Sequence, residues 1–225
     1  MEIAGFITNS FVDYPGNIAA VVFTPGCNMN CWYCHNRSII SETKGGYDEY
    51  KILAMIKDRK RFLDGVVLTG GEPTLQKDLL AFAEKIKEMG LKIKLDSNGT
   101  NPTVIKKMVD EKLVDYIAMD IKAPFEKYNK ITIVPDIEKV KQSIKYIMGC
   151  GIDYEFRTTF APNLTADDIV EICRNIEGAK SYALQGYQVP EYLDPKKVPP
   201  HSNSIFEEVC KKAGKYLENF VIRNI

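Results

Sequence analysis

Short apolar, β-branched runs alternate along the chain with longer amphipathic stretches. Ile18–Phe23, Gly65–Thr69, Leu91–Leu95, Asp115–Asp120, Asp153–Phe160 and Ser181–Leu184 have the length and composition of strands. Between them, Tyr47–Arg61, Gln76–Met89, Pro102–Glu111, Asp136–Met148, Thr165–Ile176 and Ser202–Tyr216 carry helical periodicity. Gly90 and Gly149 fall where helix C-caps belong. Asn219–Ile225 is expected to add a last short strand.

Strands alternating with helices imply a parallel sheet with right-handed crossovers. Six units are too few for a closed eight-fold barrel. The expected fold is therefore α/β, a partial (β/α)6 barrel of TIM type in one domain over residues 1–225, with its site at the C-terminal ends of the strands. Unusual residues do cluster there. A cysteine loop follows Phe23, Gly70-Gly71-Glu72-Pro73 follows Thr69, Asp96-Ser97-Asn98-Gly99 follows Leu95, and Asp120-Ile121-Lys122 closes the fourth strand.

Composition narrows the setting. The chain has 225 residues, 45% hydrophobic and 27% charged, the balance of a soluble globular protein. Lys+Arg and Asp+Glu both number 30, which argues against a broad nucleic-acid or membrane surface. No stretch has transmembrane length, and the N-terminus lacks the basic start and apolar run of a signal peptide. A cytoplasmic location is expected, where thiols stay reduced. Cys150, Cys173 and Cys210 are widely spaced and are expected to be buried small hydrophobes.

Cys27, Cys31 and Cys34 form a C-x3-C-x2-C triplet in one loop. Structural zinc prefers two C-x2-C pairs, or one pair with two spaced histidines. Here His35 directly follows Cys34, and His201 is remote. A disulfide framework suits a short secreted chain, which this is not. Three thiolates can hold three irons of a [4Fe–4S] cube and leave the fourth open. Two glycines in Gly70-Gly71-Glu72-Pro73 permit close approach of a ligand beside the Glu72 carboxylate, although the same residues also make a plain βα turn. Asp120 and Lys122 alternate onto one face, where burial is costly unless they are paired or ligand-bound. Arg157 and Gln185 end later strands and are expected to line the same pocket. Asp13-Tyr14-Pro15-Gly16 makes a turn; a functional role would place Asp13 at the barrel mouth.

Val12–Gly16, the loop ending Cys34-His35-Asn36, Gly70–Pro73, Lys94–Gly99 and Met119–Lys122 match, in that order, the glycyl-radical-enzyme activases of the radical S-adenosylmethionine (SAM) superfamily. Within that group the chain most resembles the activating proteins of anaerobic ribonucleoside-triphosphate reductase, with pyruvate formate-lyase activating enzyme a close relative. The resemblance implies an oxidoreductase. Cys27, Cys31 and Cys34 would ligate a [4Fe–4S] cluster whose open iron chelates SAM. The reduced cluster would cleave SAM to a 5′-deoxyadenosyl radical, which would take a Cα hydrogen from a glycine of a partner glycyl radical enzyme.

The same resemblance assigns further positions. The Tyr33 backbone would touch the adenine. Gly70, Gly71 and Glu72 would receive the SAM amino group. Asp96, Ser97 and Asp120, with Asn98 in the same turn, match positions that help bind a monovalent cation beside the SAM carboxylate. Lys122 would contact SAM, and Asp13 would face the substrate. A flavodoxin or ferredoxin would supply electrons. Pyruvate formate-lyase activases carry a histidine near the last strand, whereas Gln185-Gly186-Tyr187-Gln188 offers none. Two rivals stay open: a radical SAM enzyme with a small-molecule substrate, and a non-catalytic metal-binding module.

Overall fold

The computed structural model of the chain describes residues 1–133, 136–217 and 219–224. Among these, eight strands form one sheet in chain order: β1 (Gly5–Ser10), β2 (Ala19–Thr24), β3 (Gly65–Gly70), β4 (Lys92–Ser97), β5 (Tyr116–Asp120), β6 (Asp153–Phe160), β7 (Tyr182–Gly186) and β8 (Phe220–Arg223). β1 runs antiparallel to β2, and every later neighbour pair is parallel. β1 and β8 stand at opposite edges, so the barrel is open.

Parallel neighbours need crossovers. These are α1 (Glu49–Arg59), α2 (Leu79–Glu88), α3 (Pro102–Asp110), α4 (Tyr128–Ile131) with α5 (Ile137–Gly149), α6 (Ala166–Asn175) and α7 (Asn203–Ala213). The starts of α1, α3, α5 and α6 are fixed by side chains. Thr165 and Asp168 form a reciprocal capping box on α6, and Asp48 accepts the Lys51 amide on α1.

The six expected parallel strands are β2–β7. The expected tail strand forms as β8, with Ile225 outside the described residues. β1 was not foreseen. Its sequence, Gly-Phe-Ile-Thr-Asn-Ser, has only a brief apolar run, because an edge strand is covered less than a central one. Gly90 takes the left-handed conformation (φ +82°) after α2 as expected, but Gly149 stays inside α5 and Gly151 (φ +84°) makes the left-handed turn instead. All six cysteines are free thiols. Cys173 is buried, whereas Cys150 and Cys210 are only partly covered, contrary to expectation.

Strand alternation gives the sheet two unlike faces. Ala20, Val22, Val66, Leu68, Ile93, Leu95, Ile117 and Met119 point to the helices and join Ile56, Phe82, Ile105 and Ile147 in the main core. The inner face begins with a small apolar plug of Tyr14, Ala19, Val21 and Val67, flanked by Phe23 and Tyr116. Beyond the plug the same face turns polar, with Lys94, Asp96, Asp120, Glu155, Arg157 and Gln185. Buried Glu155 is held there by two bonds from Arg223, at 3.1 and 2.7 Å.

Candidate functional site

The cysteine loop and the turn after β3 are sewn together backbone to backbone. The Gly71 amide donates to the Thr24 carbonyl and the Glu72 amide to the Gly26 carbonyl, both at 2.8 Å. The Asn36 side-chain amide donates to the Gly70 carbonyl at 2.7 Å. The glycines make this approach feasible. A Cβ on Gly71 would lie 1.9 Å from the Gly26 carbonyl oxygen, and Gly70 combines φ +114° with a Cβ position 2.4 Å from the Thr24 nitrogen. The turn therefore delivers Glu72 into the cavity that the cysteines line.

Glu72 is 1% exposed and accepts from four neutral donors. Thr74 gives its amide (3.1 Å) and hydroxyl (2.5 Å) to Oε1, the Ser97 hydroxyl adds a third bond at 2.9 Å, and the Asn98 amide reaches Oε2 at 2.7 Å. Burial pushes its carboxyl above the ordinary range, and the hydrogen bonds only partly offset this. Asn98 extends the chain of contacts to the cysteine loop. Its side-chain amide donates to Asn28 at 2.9 Å and approaches Cys27 Sγ at 3.8 Å. Burial likewise raises the thiols of Cys27, to about 11, and of Cys34.

Beside this cradle the inner face carries an ionic ladder. Arg157 bridges two strands, with Nε donating to Asp120 at 2.9 Å and a terminal nitrogen to Asp96 at 3.3 Å. Lys122 donates to the second Asp120 oxygen at 3.1 Å, and buried Lys94 engages the second Asp96 oxygen. Burial alone would raise the Asp120 carboxyl, but the Arg157 and Lys122 charges outweigh it and hold the group at about 2. Both oxygens of both carboxylates thus face protein cations. This donor set does not fit the monovalent cation expected at Asp96, Ser97 and Asp120, because the positive charge is already built into the strands.

These parts meet in a cavity of ≈ 440 Å³. Cys27, Cys31, Cys34, Tyr33, Gly70, Gly71, Glu72, Asp96, Ser97, Asn98, Asp120, Lys122, Arg157, Gln185 and Asp13 all line it. Asp13 is placed differently from expectation. Ser10 pairs with Ala19, so the turn after β1 leaves the sheet at the end opposite the cysteine loop. The cavity reaches along the inner face to Asp13, which accepts the Ser10 hydroxyl at 2.6 Å. Met29, His35, Asn36, Ile40, Thr69 and Thr159 also line the cavity and were missed. Alternation could have found Thr159, two residues beyond Arg157 on the same face.

A family model described as the radical SAM superfamily matches residues 21–176. The chain belongs to that superfamily. A Methanocaldococcus jannaschii protein, provisionally named a glycyl-radical enzyme activating enzyme, is 38% identical over 99% of this chain and 96% of its own. The pyruvate formate-lyase-activating enzyme of Streptococcus mutans is 30% identical over 85% of this chain and 78% of its own. This radical SAM chain therefore stands in the glycyl-radical enzyme activase family. Its fold is also that of Streptococcus suis SuiB bound to S-adenosylmethionine, with TM-score 0.67 and 15% identity. That match covers 90% of this chain and 51% of SuiB, so the chain spans about half of that larger protein. The superfamily uses a [4Fe–4S] cluster and SAM, and the donor set here fits both. Three thiols share one cavity, a carboxylate without a cationic partner lines it with them, and the buried Tyr33 hydroxyl has no hydrogen-bond partner among the described residues. No helix among the described residues is long and apolar enough to cross a membrane.

Proposed function

We propose that this radical SAM protein activates a glycyl radical enzyme, with anaerobic ribonucleoside-triphosphate reductase as its target. When bound, the cluster and SAM supply a 5′-deoxyadenosyl radical able to remove a glycine Cα hydrogen. Cys27, Cys31 and Cys34 hold the cluster. Glu72, presented by Gly70 and Gly71, receives the SAM ammonium, because it is the buried acid whose donors are all neutral. That observation carries the reading: a sealed carboxylate beside three thiols is matched by a ligand that brings its own positive charge.

The remaining residues position and screen. Lys122 and Arg157 turn positive charge toward the cavity and suit the SAM carboxylate. Asp96 and Asp120 fix those two cations, Ser97 and Asn98 hold Glu72, Tyr33 lies along the adenine by its backbone, and Gln185 lines the cavity. Asp13 meets the partner's glycine loop at the other end of the cavity. A flavodoxin or ferredoxin supplies electrons. A pyruvate formate-lyase target is the second reading, favoured by the 30% identical Streptococcus mutans relative.

The test is anaerobic mixing of the reconstituted chain, SAM and a one-electron reductant with each candidate partner, read by electron paramagnetic resonance. A glycyl signal is expected on the reductase. A signal only on pyruvate formate-lyase transfers the assignment. SAM cleavage without a signal on any partner points to a small-molecule substrate. Alanine at Cys27, Cys31 or Cys34 should abolish cleavage, and iron retained in all three variants would remove the cluster assignment.

A further inference from the structure

Between β7 and α7 the chain runs for residues 187–202 without helix or strand. A loop of this length inside a compact fold usually has a task. It is pinned at three points. Tyr187 is buried against Trp32 and Tyr33, with ring centroids 5.8 and 6.3 Å apart. The Tyr192 hydroxyl lies 2.8 Å from the Cys34 carbonyl oxygen and 3.1 Å from that of Trp32. At the far end, His201 stacks on Phe160 at 4.0 Å, and its Nε2 lies 3.1 Å from the Ala161 carbonyl oxygen.

The middle contact stands apart. One hydroxyl proton is shared between two carbonyls that bracket Tyr33, across 158 and 160 positions of sequence. Carbonyls in a tight loop need partners if the loop is to keep one shape. The cysteine loop has little periodic structure of its own, holding a short turn in which the Cys34 amide donates to the Cys31 carbonyl at 3.1 Å. Its three thiols must meet three different irons, so a loop free to vary would have to be ordered when the cluster binds, at a cost in conformational entropy. Tyr192 is itself 47% exposed, and its contacts to this loop are made by the hydroxyl.

We propose that Tyr192 is a positioning residue for the cluster: its hydroxyl holds the Trp32–Cys34 backbone in the shape that presents the thiols. The consequence for the cluster rests on the cysteine assignment above; the hold on the loop does not.

The test compares wild type with Tyr192→Phe and Tyr192→Ala in the full chain. In metal-free protein, hydrogen exchange at the amides of residues 31–36 should quicken by roughly two- to tenfold in both variants, the range of one hydrogen bond. The urea unfolding midpoint should stay unchanged. In reconstituted protein, iron loss to a chelator should quicken by a similar factor, and the resonance of the reduced cluster should broaden as the loop samples more than one arrangement. Wild-type exchange in Tyr192→Phe with faster exchange only in Tyr192→Ala would overturn the proposal, since ring packing would then be the contact. Exchange unaltered in both variants would overturn it as well. A wild type that takes up no iron would defeat the cluster reading and leave the exchange comparison to decide the hold on the loop.

Discussion

Glu72 and Asp120 are acids lining one cavity, and they are held in opposite ways. Glu72 sits among Thr74, Ser97 and Asn98, all neutral, and burial raises its carboxyl. Asp120 faces Arg157 and Lys122, which hold it at about 2. Hydrogen bonds from neutral groups orient a carboxylate without cancelling its charge; ion pairs do both. The ladder around Asp120 is therefore paired without a ligand, and with Lys94, Lys122 and Arg157 against Asp96 and Asp120 it keeps one positive charge in excess beside the cavity. The cradle around Glu72 holds no protein cation, so under the proposed function a cationic ligand would complete it. The wall that is unfinished electrostatically lies beside the thiols.

The most damaging way to break this contrast is through the ladder. Arg157→Met strips a shared cation from Asp96 and Asp120 and should cost on the order of 3–5 kcal/mol in urea unfolding. A loss no larger than that of an exposed pair would mean the ladder is not framework.

Glu72→Gln attacks the other wall. It should weaken SAM binding by roughly ten- to hundredfold in calorimetric titration of the reconstituted protein, the worth of a charged hydrogen bond, while iron content is retained. Unaltered affinity would assign the ammonium elsewhere.

Lys122→Met sharpens the comparison by touching both roles. It should weaken SAM binding with the cluster intact, and it should destabilise the ligand-free protein in a pH-dependent way. The folded value of about 2 for Asp120 lies below its ordinary 3.8, so the pairing stabilises fully above pH 3.8 and is lost as pH falls toward 2. The gap in unfolding free energy between wild type and variant should therefore close across that window. A gap independent of pH would detach Lys122 from Asp120.

The smallest effect concerns ions. Exchanging potassium for a bulky organic cation at constant ionic strength should change SAM affinity by less than about twofold, because Lys94 and Arg157 already face Asp96. Lys94→Met should make the affinity depend on potassium. A wild type that already requires potassium would show that the ladder opens to admit it.

The contrast between walls also explains what could be foreseen. β2 and β3 announce themselves because both of their faces are covered, as in Val66-Val67-Leu68, which lets apolar residues run on without interruption, whereas β4 and β6 show instead as alternation of apolar with polar residues. β1 has a free edge and a mixed sequence, so no comparable run marks it. Among chemical residues, those in dense local motifs were legible: the cysteines, the turn at Glu72, and the Asp120–Lys122 alternation. Lys94 was visible only as part of a motif, since its pairing with Asp96 depends on which face of β4 turns inward. Tyr192 lay beyond reach, because its partners are 158 and 160 positions away and its own surroundings resemble any polar loop.

The sheet that carries all this never closes on itself. In a closed barrel, strand number and shear fix the circumference, and the space inside can be enlarged only by rebuilding the ring. Here β1 and β8 end the sheet with no hydrogen bonds joining them. The circumference is a variable. Lengthening or re-angling the edge strands would leave the cavity-lining groups of β3, β4 and β5 in register. A scaffold of this kind can change the size of what it admits, from a small molecule to a loop of another protein, by editing its margins and leaving its chemistry alone.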